Sequence, residues 1–213
     1  ISYMASSRSW IMDTTLYGIQ GLMNDVGQEY SWNIGLAILK EFTLFNREGT
    51  LTIDAYHTYF ENQLVVDLYQ SAREVHFYAL EGKSYSNSIQ TEINYDLNRR
   101  ISFRAAYRYL DVRTDYVSTV YDLTTKDIPF VSKHRCFLNV DFTTRKKNHS
   151  QWKIDLTAQW IGSQKLPNTE DSPAEFKLAS SSPNYFLING QITRVANKNT
   201  EVYLGVENAL NFR

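Results

Sequence analysis

The chain has 213 residues, of which 43% are hydrophobic, 14% aromatic and 21% charged, with a formal net charge of -1. That balance excludes a broad electrostatic attraction to nucleic acid. No apolar run approaches the ~18 residues of a spanning helix; the longest is Ile34 to Leu39. The single cysteine, Cys136, rules out an internal disulfide and says nothing about compartment.

Tyr3 to Trp10 reads as the tail of a strand. In Ser31 to Phe42 one face collects Trp32, Ile34, Leu36, Ile38 and Phe42, with Lys40 among them. Leu51, Ile53, Ala55 and Tyr59 then oppose Thr52, Asp54 and Thr58. From Ser84 to Leu97, Ser84, Ser86, Ser88, Gln90, Glu92, Asn94 and Asp96 take one face, and Tyr85, Asn87, Ile89, Thr91, Ile93, Tyr95 and Leu97 the other, which is largely dry. Ile101, Phe103, Ala105, Tyr107 and Tyr109 oppose Ser102, Arg104, Ala106 and Arg108. Cys136, Leu138, Val140 and Phe142 oppose Arg135, Phe137, Asn139 and Asp141. Trp152, Ile154, Leu156, Ala158 and Trp160 oppose Lys153, Asp155, Thr157 and Gln159. Phe186, Ile188 and Ile192, then Val202, Leu204 and Val206, complete eight stretches. A period of two puts successive side chains on opposite faces of a strand, so each stretch has one wet and one dry face. A helix would mix the two sets.

The connectors alternate in length. Tight links fall around Asn46 to Gly49, Asp96 to Arg100, Arg145 to Ser150 and Val195 to Asn199, with turn residues in each. Long links run roughly Glu61 to Lys83, Asp111 to Lys133 and Gly162 to Asn184. Short turns at one end and long loops at the other describe an all-β, antiparallel transmembrane barrel, with the tight turns on the periplasmic side. If the hairpin at Asp96 to Arg100 is symmetric, Asn94 faces Arg104, Gln90 faces Arg108, and Glu92 lies diagonally between the arginines.

Read as text, "GTLTIDAYHTYFENQLVVDLY", "GKSYSNSIQTEINYD", "FRAAYRYLDVRT" and "YLGVENALNF" resemble segments of the C-terminal barrel portion of TonB-dependent outer-membrane receptors. The likeness runs in order over nearly the whole chain, as one unit from 1 to 213. The resemblance implies a bacterial outer-membrane location and import of a scarce solute, an iron chelate such as a siderophore or a cobalamin-like compound, with energy from the TonB complex. Family barrels have about 22 strands around a plugged lumen. The expectation is therefore eight or nine strands of a larger wall, lacking the plug, the N-terminal region that meets the TonB complex, and the final strand. The implied partners are outer-membrane lipid, the plug of the same protein, that complex and a small-molecule ligand.

Chemistry for catalysis is not evident. The four histidines, His57, His76, His134 and His149, form no pair at metal-ligand spacing on one face. Ser132 and His134 are the one close serine–histidine pair, and no orienting third group accompanies them. No phosphate-cradling or dinucleotide motif is present, and no cofactor is expected. Two sets of residues carry the functional reading instead. Asp54, Glu92, Arg104, Arg108 and Asp155 face the lumen, either solvating it and anchoring a plug or, for the two arginines, lining a path for an anionic ligand. Tyr69, Tyr78, Tyr116, Tyr121 and Phe130 lie in the long loops, either touching ligand or packing the loops together. Two other readings stay open: a complete eight-stranded structural or adhesion barrel, and an outer-membrane barrel hydrolase. A soluble eight-stranded binder would put the apolar face inside.

Overall fold

A computed structural model describes residues 28–69, 75–80, 82–119, 122–170 and 172–212. The expected strand at Tyr3 to Trp10 lies outside them. The strands are β1 (Tyr30–Leu44), β2 (Arg47–Asn62), β3 (Leu64–Asp67), β4 (His76–Ala79), β5 (Ser84–Asn98), β6 (Ile101–Thr119), β7 (Asp122–Asp127), β8 (His134–Thr143), β9 (Gln151–Ile161), β10 (Tyr185–Val195) and β11 (Glu201–Val206). One 3-10 turn, Ala174–Phe176, is the sole helical element among the described residues. A nine-stranded sheet runs β1-β2-β5-β6-β8-β9-β10-β11, with β7 added on β6, and β3 and β4 form a separate hairpin. The pairs whose register is resolved are antiparallel throughout. β1 and β11 are the two edges of this sheet and do not pair with each other.

All eight alternating stretches are strands of that sheet, and each is joined to its neighbour as a sheet of consecutive hairpins requires. The turn between β1 and β2 is two residues, Phe45 and Asn46, both at positive φ, which matches the twist of the flanking strands. Asn148 and His149 repeat the device between β8 and β9, inside the Lys147–Ser150 bridge. Two long links depart from the loops expected of them: within 61–83, β3 and β4 pair as a hairpin. Most of 111–133 is a hairpin, because β6 continues to Thr119 and β7 folds back on it.

The apolar face is open. Ile34, Leu36, Ile89 and Leu156 are 72, 64, 49 and 53% exposed, so these side chains do not gather under a sealed interior. Aromatic side chains border that face at two levels. Trp32, Tyr59 and Tyr85 share one row across β1, β2 and β5. Trp160 and Phe186 share the row of Ile38, six residues further along β1 than Trp32. A drift of ~20 Å over five strand spacings, ~24 Å, means that strands tilt about 40° to the belt, inside the ~35–45° of membrane barrels. The lower belt drifts the same way, from Phe42, Tyr95 and Phe103 to Phe142 and Trp152. Ten residues separate Trp32 from Phe42 and Tyr85 from Tyr95. At that tilt they span about 25 Å, the height of an outer-membrane apolar band. Among the described residues two Asp, Glu, Lys or Arg side chains lie on this face from belt to belt: Lys40, and Arg194, whose guanidinium stands 4.9 Å over the ring of the belt residue Trp152.

The lower belt is built around a missing side chain. Phe42, Gly49 and Tyr95 share a row, and the rings of Phe42 and Tyr95 stack at 6.0 Å across the glycine. A Cβ at position 49 would stand 2.5 Å from Phe42 Cζ and 2.9 Å from Tyr95 Cδ2. Tyr95 is buried and its hydroxyl donates to the Leu44 carbonyl at 2.7 Å, tying the belt to the turn. Aromatic cover of a strand glycine restores the packing that the glycine lacks.

Candidate functional site: the lumen wall and its outer mouth

The second face of the sheet carries charge. On β5 and β6, Arg104 Nη2 donates to Glu92 Oε2 at 2.9 Å, and Asn94 Nδ2 donates to Glu92 Oε1 at 2.9 Å. Asn94 sits opposite Arg104 and Gln90 opposite Arg108, the register that the symmetric turn requires. The Arg104 guanidinium also lies 5.8 Å from the centre of the Phe137 ring. Directly opposite Arg104 on β8, Asn139 Nδ2 donates to Asp155 Oδ2 at 2.7 Å and to Thr157 Oγ1 at 2.9 Å. Asp155 stands directly opposite Asp141. Asp54 lies between Ala37 and Gln90 in its row.

Arg108 is different. Its neighbour across β8 is Arg135, and neither guanidinium has a carboxylate within ion-pair distance among the described residues. These two, with Gln90, Glu92, Arg104 and Gln159, line a concavity of about 340 Å³. Arg135 is the second residue of β8 and pairs with Ile161, the last of β9, so the pair sits at the outer mouth of the wall.

Above the mouth the loops form a cap. Asp67 is fully buried; its Oδ1 accepts the Tyr69 N–H at 2.8 Å and its Oδ2 the Tyr78 hydroxyl at 2.9 Å. Tyr69 meets Tyr116 edge-on at 5.2 Å and donates its hydroxyl to the Asp127 carbonyl at 2.7 Å. Burial pushes the Tyr69 phenol above its ordinary value, helped by the negative charge of Asp127 and Asp67, and burial likewise raises Tyr116. Tyr69 also lines a cleft of about 530 Å³ with Lys126, Lys165, Pro167 and Lys177. Lys126 Nζ stands 4.8 Å over the Tyr69 ring. Phe130 is exposed in a left-handed conformation and its N–H donates to the Lys165 carbonyl at 2.9 Å. Tyr121 lies outside the described residues. Beside the mouth, Lys133 and Arg113 each pair with both Asp111 and Asp127. The Lys133 ammonium is raised above its usual range, first by its bond to Asp127.

The cap brings Tyr69, Tyr78 and Tyr116 together around Asp67 and leaves Phe130 apart. The wall joins Glu92 to Arg104 and separates Asp54 and Asp155 from them. Arg135 was missing from the expected set: its face was legible, but its neighbour was not, because the link from β6 to β8 is long. Ser132 Oγ donates to the His134 carbonyl at 2.8 Å, while the His134 ring bonds the Tyr107 hydroxyl at 2.8 Å, so the serine does not meet the imidazole.

The family described as "TonB dependent receptor-like, beta-barrel" matches residues 14–209. No curated protein and no solved structure matches.

Proposed function

Because the chain belongs to the TonB-dependent receptor β-barrel family, whose members are transport receptors of the bacterial outer membrane, we propose that its barrel admits a scarce solute of the iron-chelate or cobalamin-like kind. In general, receptors of this family enclose a plug in the lumen and draw energy from the TonB complex. Capture by the cap, binding against the plug and rearrangement of the plug are the proposed steps. In this reading Tyr69 and Phe130 contact ligand from the loops, Tyr78 and Tyr116 hold Tyr69 in place, and Asp54, Glu92, Arg104, Arg108 and Asp155 line the lumen.

The observation that supports the reading best is the two-faced wall. An apolar band about 25 Å tall suits lipid, a charged opposite face suits passage of a polar solute, and the loops hold a 530 Å³ cleft beside Tyr69. A pocket of roughly 300–1,000 Å³ is the usual size for a small-molecule site. The test is uptake of radiolabelled ferric citrate, a neutral ferric trihydroxamate and cyanocobalamin by cells with and without the receptor. Uptake of one of them that needs both the receptor and a working TonB complex is the expected result. Equal uptake of all three by cells lacking the receptor would remove it.

A further inference from the structure

Between β5 and β9 the wall holds four polar side chains with no side-chain partner among the described residues. Gln90, Arg108 and Arg135 stand in one row across three strands, and Gln159 lies two residues from the end of that row on β9. Like charges directly opposite each other on neighbouring strands repel. No carboxylate among the described residues comes within ion-pair distance of either guanidinium. Glu92 is committed to Arg104 and Asn94. Asp54 is two strands from Arg108, on the order of 10 Å away. Asp111 is taken by Arg113 and Lys133 on the other face. The concavity thus holds three guanidiniums and one carboxylate, Glu92, which is bonded to Arg104. The remaining positive charge suits an anion from elsewhere, and the planar forks of Arg108 and Arg135 suit carboxylate or phosphate oxygens.

We infer that Gln90, Arg108, Arg135 and Gln159 form an anion site at the outer mouth of the lumen, and that the transported solute carries carboxylate or phosphate groups which this site holds. The inference rests on the transport reading above and narrows it to an anionic cargo. Position favours the solute over an acidic side chain of the plug. The pair is level with the outer aromatic belt, beside the end of β9, where an arriving solute first meets the wall. The concavity of about 340 Å³ is also larger than one anchoring carboxylate needs.

The experiment uses the full receptor in detergent, titrated calorimetrically with ferric citrate, with inorganic pyrophosphate and with a neutral ferric trihydroxamate. At least one of the two anions binds the wild type. Arg108→Gln and Arg135→Gln each weaken it ~10-fold and the double variant more, with a smaller dependence on salt. Arg135→Lys recovers part of the loss, and Lys153→Gln, at a paired wall charge, changes nothing. Refusal of both anions by the wild type overturns the inference. So does equal binding by wild type and double variant. If the double variant instead melts several degrees lower and leaks small solutes with anion binding unmoved, the pair anchors the plug and the inference is overturned. Energised uptake is scored separately: uptake of the neutral chelate alone removes this inference and leaves the transport reading in place.

Discussion

The two faces of this sheet share one backbone and obey different rules. Among the described residues the outward face from belt to belt carries two charged side chains, Lys40 on the edge strand β1 and Arg194, which lies over the belt residue Trp152. The inward face carries opposite charges in contact, Glu92 with Arg104, and like charges abreast, Arg108 with Arg135 and Asp141 with Asp155. Water and whatever fills the lumen can hydrate or neutralise a charge; hydrocarbon can do neither. The contrast is therefore a statement about which solvent each face meets. Within the inward face, the paired row and the unpaired row differ again. One is neutral by itself and the other asks for a visitor.

The strongest way to break the contrast is to move a charge across the sheet. Leu156→Arg, on the outward face, should destabilise the full receptor by about 2–4 kcal/mol in bilayer unfolding measurements, whereas Thr157→Arg one residue along should cost under about 1 kcal/mol. Equal costs would erase the distinction. Next in size is the belt: Gly49→Ala forces Phe42 and Tyr95 apart, and should cost about 1–3 kcal/mol in the same assay. Smaller effects separate the two charged rows. Arg104→Gln leaves Glu92 with Asn94 alone and should cost at most about 1 kcal/mol, since Arg104 is half exposed. Arg135→Glu should do the reverse, replacing repulsion with a cross-strand ion pair worth about 0.2–1 kcal/mol. Denaturant midpoints of the two variants should move in opposite directions.

The cap adds a prediction in pH. Tyr69 and Tyr116 have folded pKa values raised above the ordinary tyrosine value near 10, because burial disfavours phenolate. Their contribution to stability is complete below pH 10 and is lost as pH rises from there toward the folded values. Alkaline titration followed by tyrosinate absorbance should show these two among the last phenols to ionise, with Tyr69→Phe and Tyr116→Phe each removing a late step.

How much of this was legible in the sequence depends on what each residue touches. Alternation marked all eight principal strands because lipid and water sort side chains every second residue. A tight turn carries its register with it, so Asn94 opposite Arg104 followed from the turn alone. Above the membrane the sorting stops. From Asp111 to Tyr116 both faces of β6 carry polar or charged side chains, the period fades, and β6 and β7 read as loop. A long link also hides register. The face of Arg135 was plain from its neighbour Cys136, yet its place beside Arg108 depends on how 110–134 folds back. The cap's core at Asp67 gave no signal, since a carboxylate two residues before a tyrosine in a loop is common.

The most direct measurement of the whole account is solvent contact on adjacent residues. In full receptor reconstituted into liposomes, with Cys136→Ser as background, single cysteines replace Ile89, Leu156, Gln90 and Thr157. Ile89→Cys and Leu156→Cys should resist a water-soluble maleimide and, once carrying a fluorophore, be quenched by spin-labelled lipid. Lipid should not quench the probe at Gln90→Cys or Thr157→Cys. Quenching at 90 and 157, with 89 and 156 shielded from lipid, would contradict the account.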